Sequence, residues 1–315
     1  MSGTKYKRAL AAAVLLLAVI VFFAAPTHSA KADMFPKPTL TISFENMGDE
    51  KCYCTLLSET ESTGPWSAYD PSPDDPDYIP HWVEDDPEEY AVWRAFLGYS
   101  DGDGFYYLQY HLRCDETKSF EWNYYAPHTF KILLYFPETQ TFSVGGIMET
   151  YAFNSYFTAT LSNNGIGSIA RPAPVISSRR SYDYGSEIGK LVARVMITVG
   201  LELLVALMFR LKKGREIVAV LAVNVVTQLI LNIAVNVIRF YNGIILLPLV
   251  YLIAEAAVFG LEAFTYRMIF DHPKFAATPA ERVSTATIVL YAFVANAVSL
   301  AFGLCVTIFA PNIAY

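Results

Sequence analysis

The feature that most constrains this chain is a set of four apolar segments after residue 185, at 191–209, 217–238, 244–266 and 287–309. Each reaches the ~20 residues an α-helix needs to cross ~30 Å of hydrocarbon. Four such segments buried in a soluble fold would need as much apolar cover again, which the rest of the chain does not supply. The hydrophobic share of 54% points the same way. Arg210, Lys212, Lys213 and Arg215 crowd the connection 210–216, and Arg267, Lys274 and Arg282 fall in 267–285. The connection between the second and third segments holds Arg239 alone. The positive-inside rule therefore puts both basic connections in the cytoplasm and the tail 311–315 outside. Residues 186–315 are expected to form an all-α, antiparallel four-helix transmembrane bundle. Small residues four apart, Ala256/Gly260, Ala297/Ala301 and Ser299/Gly303, would let the helices approach closely.

The N-terminus agrees with that topology. Lys5, Lys7 and Arg8 precede an apolar run over 9–25 and a short stretch containing Ala30 and Ala32, so 1–32 reads as a signal peptide. Cut or uncut, it sends 33–185 out of the cytoplasm, and the whole is a multi-pass protein of the cell membrane. Acidic residues crowd the exported stretch and the chain carries a formal charge of −7, which excludes nucleic acid as a partner.

Within 33–185 short alternating runs separated by turn signals predict an extracytoplasmic antiparallel β-sandwich-like domain. Strands are expected at 39–46, 52–58, 105–114, 119–125, 129–136, 141–144 and 156–161, with a short helix at 88–97. On 105–114 the apolar face would carry Tyr106, Leu108, Tyr110, Leu112 and Cys114. The Pro- and Asp-rich stretch 61–86 reads as a long exposed loop. In an exported domain Cys52 or Cys54 could bridge to Cys114, with Cys54–Cys114 singled out, while a Cys52–Cys54 bridge would be strained. Buried free thiols are the alternative.

Enzyme signatures are missing. No HExxH, GxSxG, CxxC, P-loop or GxGxxG stands in the context its chemistry requires. Glu255 and Glu262 invite comparison with intramembrane proteases, but they lie seven apart and no histidine falls in any span. Asp101-Gly-Asp103-Gly resembles part of a calcium loop but lacks the downstream bidentate carboxylate, so it reads as a hairpin turn. His111 and His128 have no ligand spacing and read as surface or structural residues. No metal and no cofactor are expected.

The sharpest signal is polar chemistry inside the spans. On the second, Asn224, Gln228, Asn232 and Asn236 recur every four residues with Thr227 beside them, so they share one slowly rotating face. The first span carries Glu202, the third Glu255 and Glu262, and the fourth Asn296. Counting from the span boundaries puts Glu202, Gln228, Glu255 and Asn296 near one depth. An ionised carboxylate there costs ~2.5–3.5 kcal/mol on insertion scales. Each must be protonated, hydrogen-bonded to an amide, or paired with an exchangeable cation. Alternatively these groups only join the helices, at ~0.6 kcal/mol per hydrogen bond.

The sequence resembles a family of uncharacterised bacterial membrane proteins. The resemblance rests on Glu202-Leu-Leu-Val-Ala206, Asn224-Val-Val-Thr-Gln228, the run from Glu255 to Tyr266, and Asn296-Ala-Val-Ser299 in the spans. In the exported part it rests on Ile42-Ser-Phe-Glu-Asn46, Ser62-Thr-Gly-Pro-Trp66 and Tyr151-Ala-Phe-Asn-Ser-Tyr156. It covers nearly all of the mature chain and implies an architecture without an activity. The leading expectation is a non-enzymatic envelope protein whose exported domain binds an extracytoplasmic protein or ligand, anchored in the bilayer and open to homo-oligomer formation through its helices. The runner-up is a proton- or cation-handling transporter or channel component built on the polar layer.

Overall fold

The structure is a computed structural model that describes residues 37–70, 86–162, 174–243, 247–272 and 282–309. The signal peptide over 1–32, the centre of the acidic loop and the tail 311–315 lie outside the described residues. The chain divides into a sheet-rich unit, Phe35–Tyr182 with Phe240–Gly243, and a helical unit, chiefly Asp183–Arg239 and Ile244–Tyr315.

In the sheet-rich unit the elements run β1 (Thr39–Glu45), β2 (Tyr53–Ser58), β3 (Ser62–Thr63), β4 (Trp66–Ser67), α1 (Pro87–Leu97), β5 (Tyr106–Tyr107), β6 (Leu112–Arg113), β7 (Ser119–Trp122), β8 (Thr129–Phe136), β9 (Thr141–Val144), β10 (Met148–Glu149), β11 (Asn154–Ser162) and β12 (Val175–Arg180). One sheet has the order β12-β11-β1-β7. The other has β10-β8-β2-β5, with β6 also on β2 and β9 also on β8. Between the sheets lie Leu40, Ile42 and Phe44 of β1, Cys54 and Leu56 of β2, and Phe130, Ile132 and Leu134 of β8. The period-2 alternation of β1 puts those three residues on one face. Strand β2 is buried at every position, because its other face, with Tyr53 and Leu57, is covered by Val92, Trp93 and Phe96 of α1. The helix starts there because Asp86 accepts from the amides of Glu88 at 2.9 Å and Glu89 at 3.2 Å, with Pro87 in the first turn.

Three expectations change. The sheets are not wholly antiparallel: β1 pairs with β11 in parallel, Thr39 opposite Asn154 through Glu45 opposite Thr160. A parallel pair needs a long crossover, and here the intervening chain holds the second sheet, α1, the β3–β4 hairpin and β7. The stretch 105–114 is not one strand. Gln109 adopts φ +60°, which breaks the pleat into β5 and β6, so Tyr106 and Leu112 are 37% and 39% exposed while Leu108 and Cys114 are buried. The acidic loop opens with the β3–β4 hairpin, closed by Gly64 at φ +54°. A Cβ at Gly64 would lie 2.6 Å from the Tyr125 ring, so glycine is required twice over.

The helical unit consists of α2 (Tyr184–Met208), α3 (Gly214–Asn242), α4 (Leu247–Asp271) and α5 (Thr285–Phe309). Three stretches, Tyr184–Met208, Gly214–Asn242 and Thr285–Gly303, are long and apolar enough to cross a membrane. Asp183 caps α2 by accepting from the amide of Ser186 at 2.9 Å. At its other end Arg210 takes φ +66°, and the Leu211 and Arg210 amides donate back to the Ala206 and Leu207 carbonyls. These two bonds form a Schellman turn, with Leu211 buried as its apolar lock. Strong apolar residues such as Met196, Leu204 and Ile230 face outward, while carboxylates and amides face inward, the reverse of a water-soluble bundle. The close-approach face of α5 carries Ala292, Ala295, Ser299 and Ala301, all buried. Ala256 and Gly260 lie on the exposed side of α4 instead.

Candidate functional site

The polar residues of the helices face inward together. Glu202, Asn224, Thr227, Gln228, Glu255, Glu262 and Asn296 are buried, Glu202 completely, and Asn232 is half-buried. The helical period of α3 puts Asn224, Thr227 and Gln228 on its inward face, and the same period puts Glu255 and Glu262, seven residues apart, on one face of α4.

Glu262 is the hub. Thr227 Oγ1 donates to its Oε1 at 2.6 Å, and Asn296 Nδ2 donates to its Oε2 at 2.7 Å, which ties α3, α4 and α5 at one residue. Counting residues from the span boundaries places Asn296 level with Glu255 instead. The pairing differs because side chains on helices lean toward their N-termini, so Asn296 on α5 and Glu262 on antiparallel α4 lean toward each other. Gln228 Nε2 reaches Glu202 Oε1 at 3.4 Å. The three carboxylates also lie close enough to interact electrostatically.

Two phenols complete the site, and residue counting did not single them out. Tyr266 donates to Asn224 Oδ1, and its ring lies 5.5 Å from that of Tyr291. Tyr266 stands one turn after Glu262 on α4, a spacing that could have flagged it. Tyr291 carries no such signal, because only packing brings it to α4. Among the described residues Glu202 Oε2, Glu255 Oε2 and Asn296 Oδ1 are buried oxygens with no hydrogen-bond donor. Such atoms are costly in a low-dielectric interior unless a proton or a cation meets them.

The buried ionisable groups singled out in the sheet-rich unit are paired with neighbours. Lys131 Nζ lies 2.7 Å from Asp101 Oδ2 and 2.5 Å from Asp103 Oδ2, over the Phe105 ring. A protein ammonium thus takes the place where the acidic turn would hold a cation, and the Asp103 and Phe105 amides donate to Asp101 as a turn requires. Burial pushes Asp101 up and Lys131 down, but the pairing wins, holding the carboxyl below and the ammonium above their ordinary values. His111 is buried rather than on the surface. It lies between Tyr107 OH at 2.6 Å and Glu89 Oε2 at 2.9 Å, and burial pulls it down to about 4. His128 is exposed beside Thr150.

Cys52, Cys54 and Cys114 are free, buried thiols. The register does not favour the Cys54–Cys114 bridge. Tyr53 opposes Arg113 and Cys54 opposes Leu112, so Cys114 faces Cys52, whose carbonyl accepts from the Cys114 amide at 2.9 Å.

Membrane-capable helices with an inverted, polar interior mark a multi-pass membrane protein with a β-rich region ahead of its helices. No protein-family model, no curated protein and no solved structure matches the chain.

Proposed function

We propose that this chain spans the cell membrane four times and handles a proton or cation at Glu202, Glu255 and Glu262, carrying an extracytoplasmic β-domain ahead of the spans. The observation that carries this reading is the set of buried oxygens on Glu202, Glu255 and Asn296 without donors. A purely structural network would be expected to satisfy its own acceptors, since half-satisfied buried networks are unfavourable. The orientation rests on the basic connections at 210–216 and 267–285, which would be cytoplasmic. The test is ion flux in proteoliposomes of defined composition. Proton or cation flux that falls in Glu255→Gln supports the reading, and flux equal to protein-free vesicles over a range of ions and pH gradients refutes it.

A second reading gives the β-domain a partner of its own. Val144, Ile147 and Val175 are exposed near one another, at the end of β9, in the following turn and at the start of β12, where Gly145 packs on Ile176. Such a cluster fits an apolar extracytoplasmic partner. Partner capture should then survive apolar replacement of Glu202, Gln228 and Glu255, and its loss in a folded protein would refute this reading.

A further inference from the structure

We infer that the carboxylate site exchanges a proton rather than a metal ion, and only with the water at the end of the bundle where α2 begins and α3 ends. This rests on the ion-handling reading above and makes it specific.

A polar ladder leads inward from that end. Glu187 pairs with Arg239, and Lys190 Nζ lies 3.4 Å from Glu187. Further in, Arg194 Nη2 donates to Asn236 Oδ1 at 3.0 Å. Then Asn232 Nδ2 donates to the Gln228 carbonyl at 2.8 Å, and Gln228 Nε2 reaches Glu202. Arg239, Asn236, Asn232 and Gln228 are three or four residues apart on α3, so they share one face. The ladder is half-buried from Glu187 to Asn232 and fully buried at Gln228 and Glu202. Water and hydrogen bonds can follow such a gradient.

Toward the α2–α3 connection the buried charged residue among those described is Glu216, whose Oε2 accepts from the Lys213 amide at 3.1 Å within its own turn. Val205, Val220, Tyr266, Phe270, Ile288 and Tyr291, drawn from all four helices, form one buried cluster. A close-packed plug of that kind excludes water. The site is therefore polar on one approach and sealed on the other.

The count of oxygens selects the proton. Both Glu262 oxygens already accept hydrogen bonds, which leaves four oxygens: Glu202 Oε2, Glu255 Oε2, Asn296 Oδ1 and the Tyr291 hydroxyl. Hard divalent cations take six or more oxygens at short range, whereas a proton needs one carboxylate. The titratable groups facing Glu202 are Glu255, Glu262 and Tyr266 from α4 and Tyr291 from α5. On its own helix Arg194 lies two turns away, and the inward face of α3 at this level presents Asn224, Thr227 and Gln228.

The test uses the full chain in sealed vesicles, with dicyclohexylcarbodiimide as the probe. This reagent modifies only protonated buried carboxyls, and peptide mapping reads the modified residue. Proteolysis of the β-domain from outside establishes which side holds the start of α2, and the pH is then set independently on the two sides. Labelling of Glu202 or Glu255 should fall as the pH rises on the side where α2 begins, regardless of the other side. Sodium, potassium and calcium should leave it unchanged, and Glu202→Gln should abolish the α2 label. Labelling that follows the opposite side would overturn the one-sided route. Protection by a cation would overturn the proton assignment while leaving the broader reading standing. A folded protein that never labels at acid pH would overturn both.

Discussion

Replacing Lys131 by methionine tests whether the acidic turn at Asp101 is held by a protein cation. The side chain is 6% exposed, so methionine keeps most of the packing over Phe105 and removes only the charge. Asp101 is then left as a buried carboxylate whose strongest partner is gone. Breaking a buried pair costs about 3–5 kcal/mol. The lower end applies here, because Asp103 is 65% exposed and needs no rescue. A loss of about 3 kcal/mol lowers the unfolding midpoint by about 6–12 °C for a domain of this size. The chain's tryptophans, Trp66, Trp82, Trp93 and Trp122, all fall within the sheet-rich sequence, so fluorescence of the full-length protein in detergent reports on that unit. Adding Asp101→Asn removes the orphaned charge and should restore about 1–2 kcal/mol. The pair also has a definite pH window. Asp101 is held below its unfolded value, so its share of stability is complete above about pH 4 and drains as the pH falls through its folded value. Lys131 is held above its unfolded value, so its share is complete below about pH 10 and is lost as the pH rises through its folded value. A loss under about 1 kcal/mol in Lys131→Met, or a double variant less stable than the single one, would refute the pairing as the anchor of this turn.

Other expected outcomes follow from the same geometry. Thr227→Val and Asn296→Leu each remove one donor to Glu262, and each should weaken the bundle by about 0.6 and at most about 1.7 kcal/mol in steric-trapping measurements; no change in either would deny Glu262 its role as hub. His111 titrates near 4 when folded and near 6.5 when unfolded, so the unfolded chain binds the proton more tightly. Stability should therefore be complete above about pH 6.5 and fall on the order of 3 kcal/mol toward pH 4. His111→Gln should flatten that slope in urea titrations, and an unchanged slope would locate the acid sensitivity elsewhere. Cys52, Cys54 and Cys114 should resist a maleimide until the protein is unfolded, since all three are buried and the Cys114 thiol beside it, with burial, holds Cys52 well above the ordinary thiol range. Recovery of a Cys54–Cys114 peptide under non-reducing conditions would contradict the register of β2 and β6.

The helical half was legible because a membrane imposes a local rule. Every backbone group must bond within its own segment, so composition over about twenty residues marks a helix, and a carboxylate inside it stands out against apolar neighbours. Strand β1 is legible too, since its alternation returns as alternating burial, whereas β8 is buried on both faces from Phe130 onward. Apart from the local break at Gln109, what the pattern does not show depends on partners far along the chain. Gln109 broke an alternating run whose apolar residues looked continuous. The parallel seam of β1 with β11, the Lys131 that fills the acidic turn and the His111–Glu89 contact all join positions that no local pattern connects.

The sequence alone determined which residues enter apolar helices and which polar side chains they carry inward, because periodicity and hydropathy are properties of a single segment. Only the tertiary structure decided that Glu262 rather than Glu255 receives Asn296, that Tyr291 joins the site, and that Cys114 faces Cys52. Those outcomes depend on the lean and register of neighbouring elements, where a shift of one residue turns a side chain to a different face.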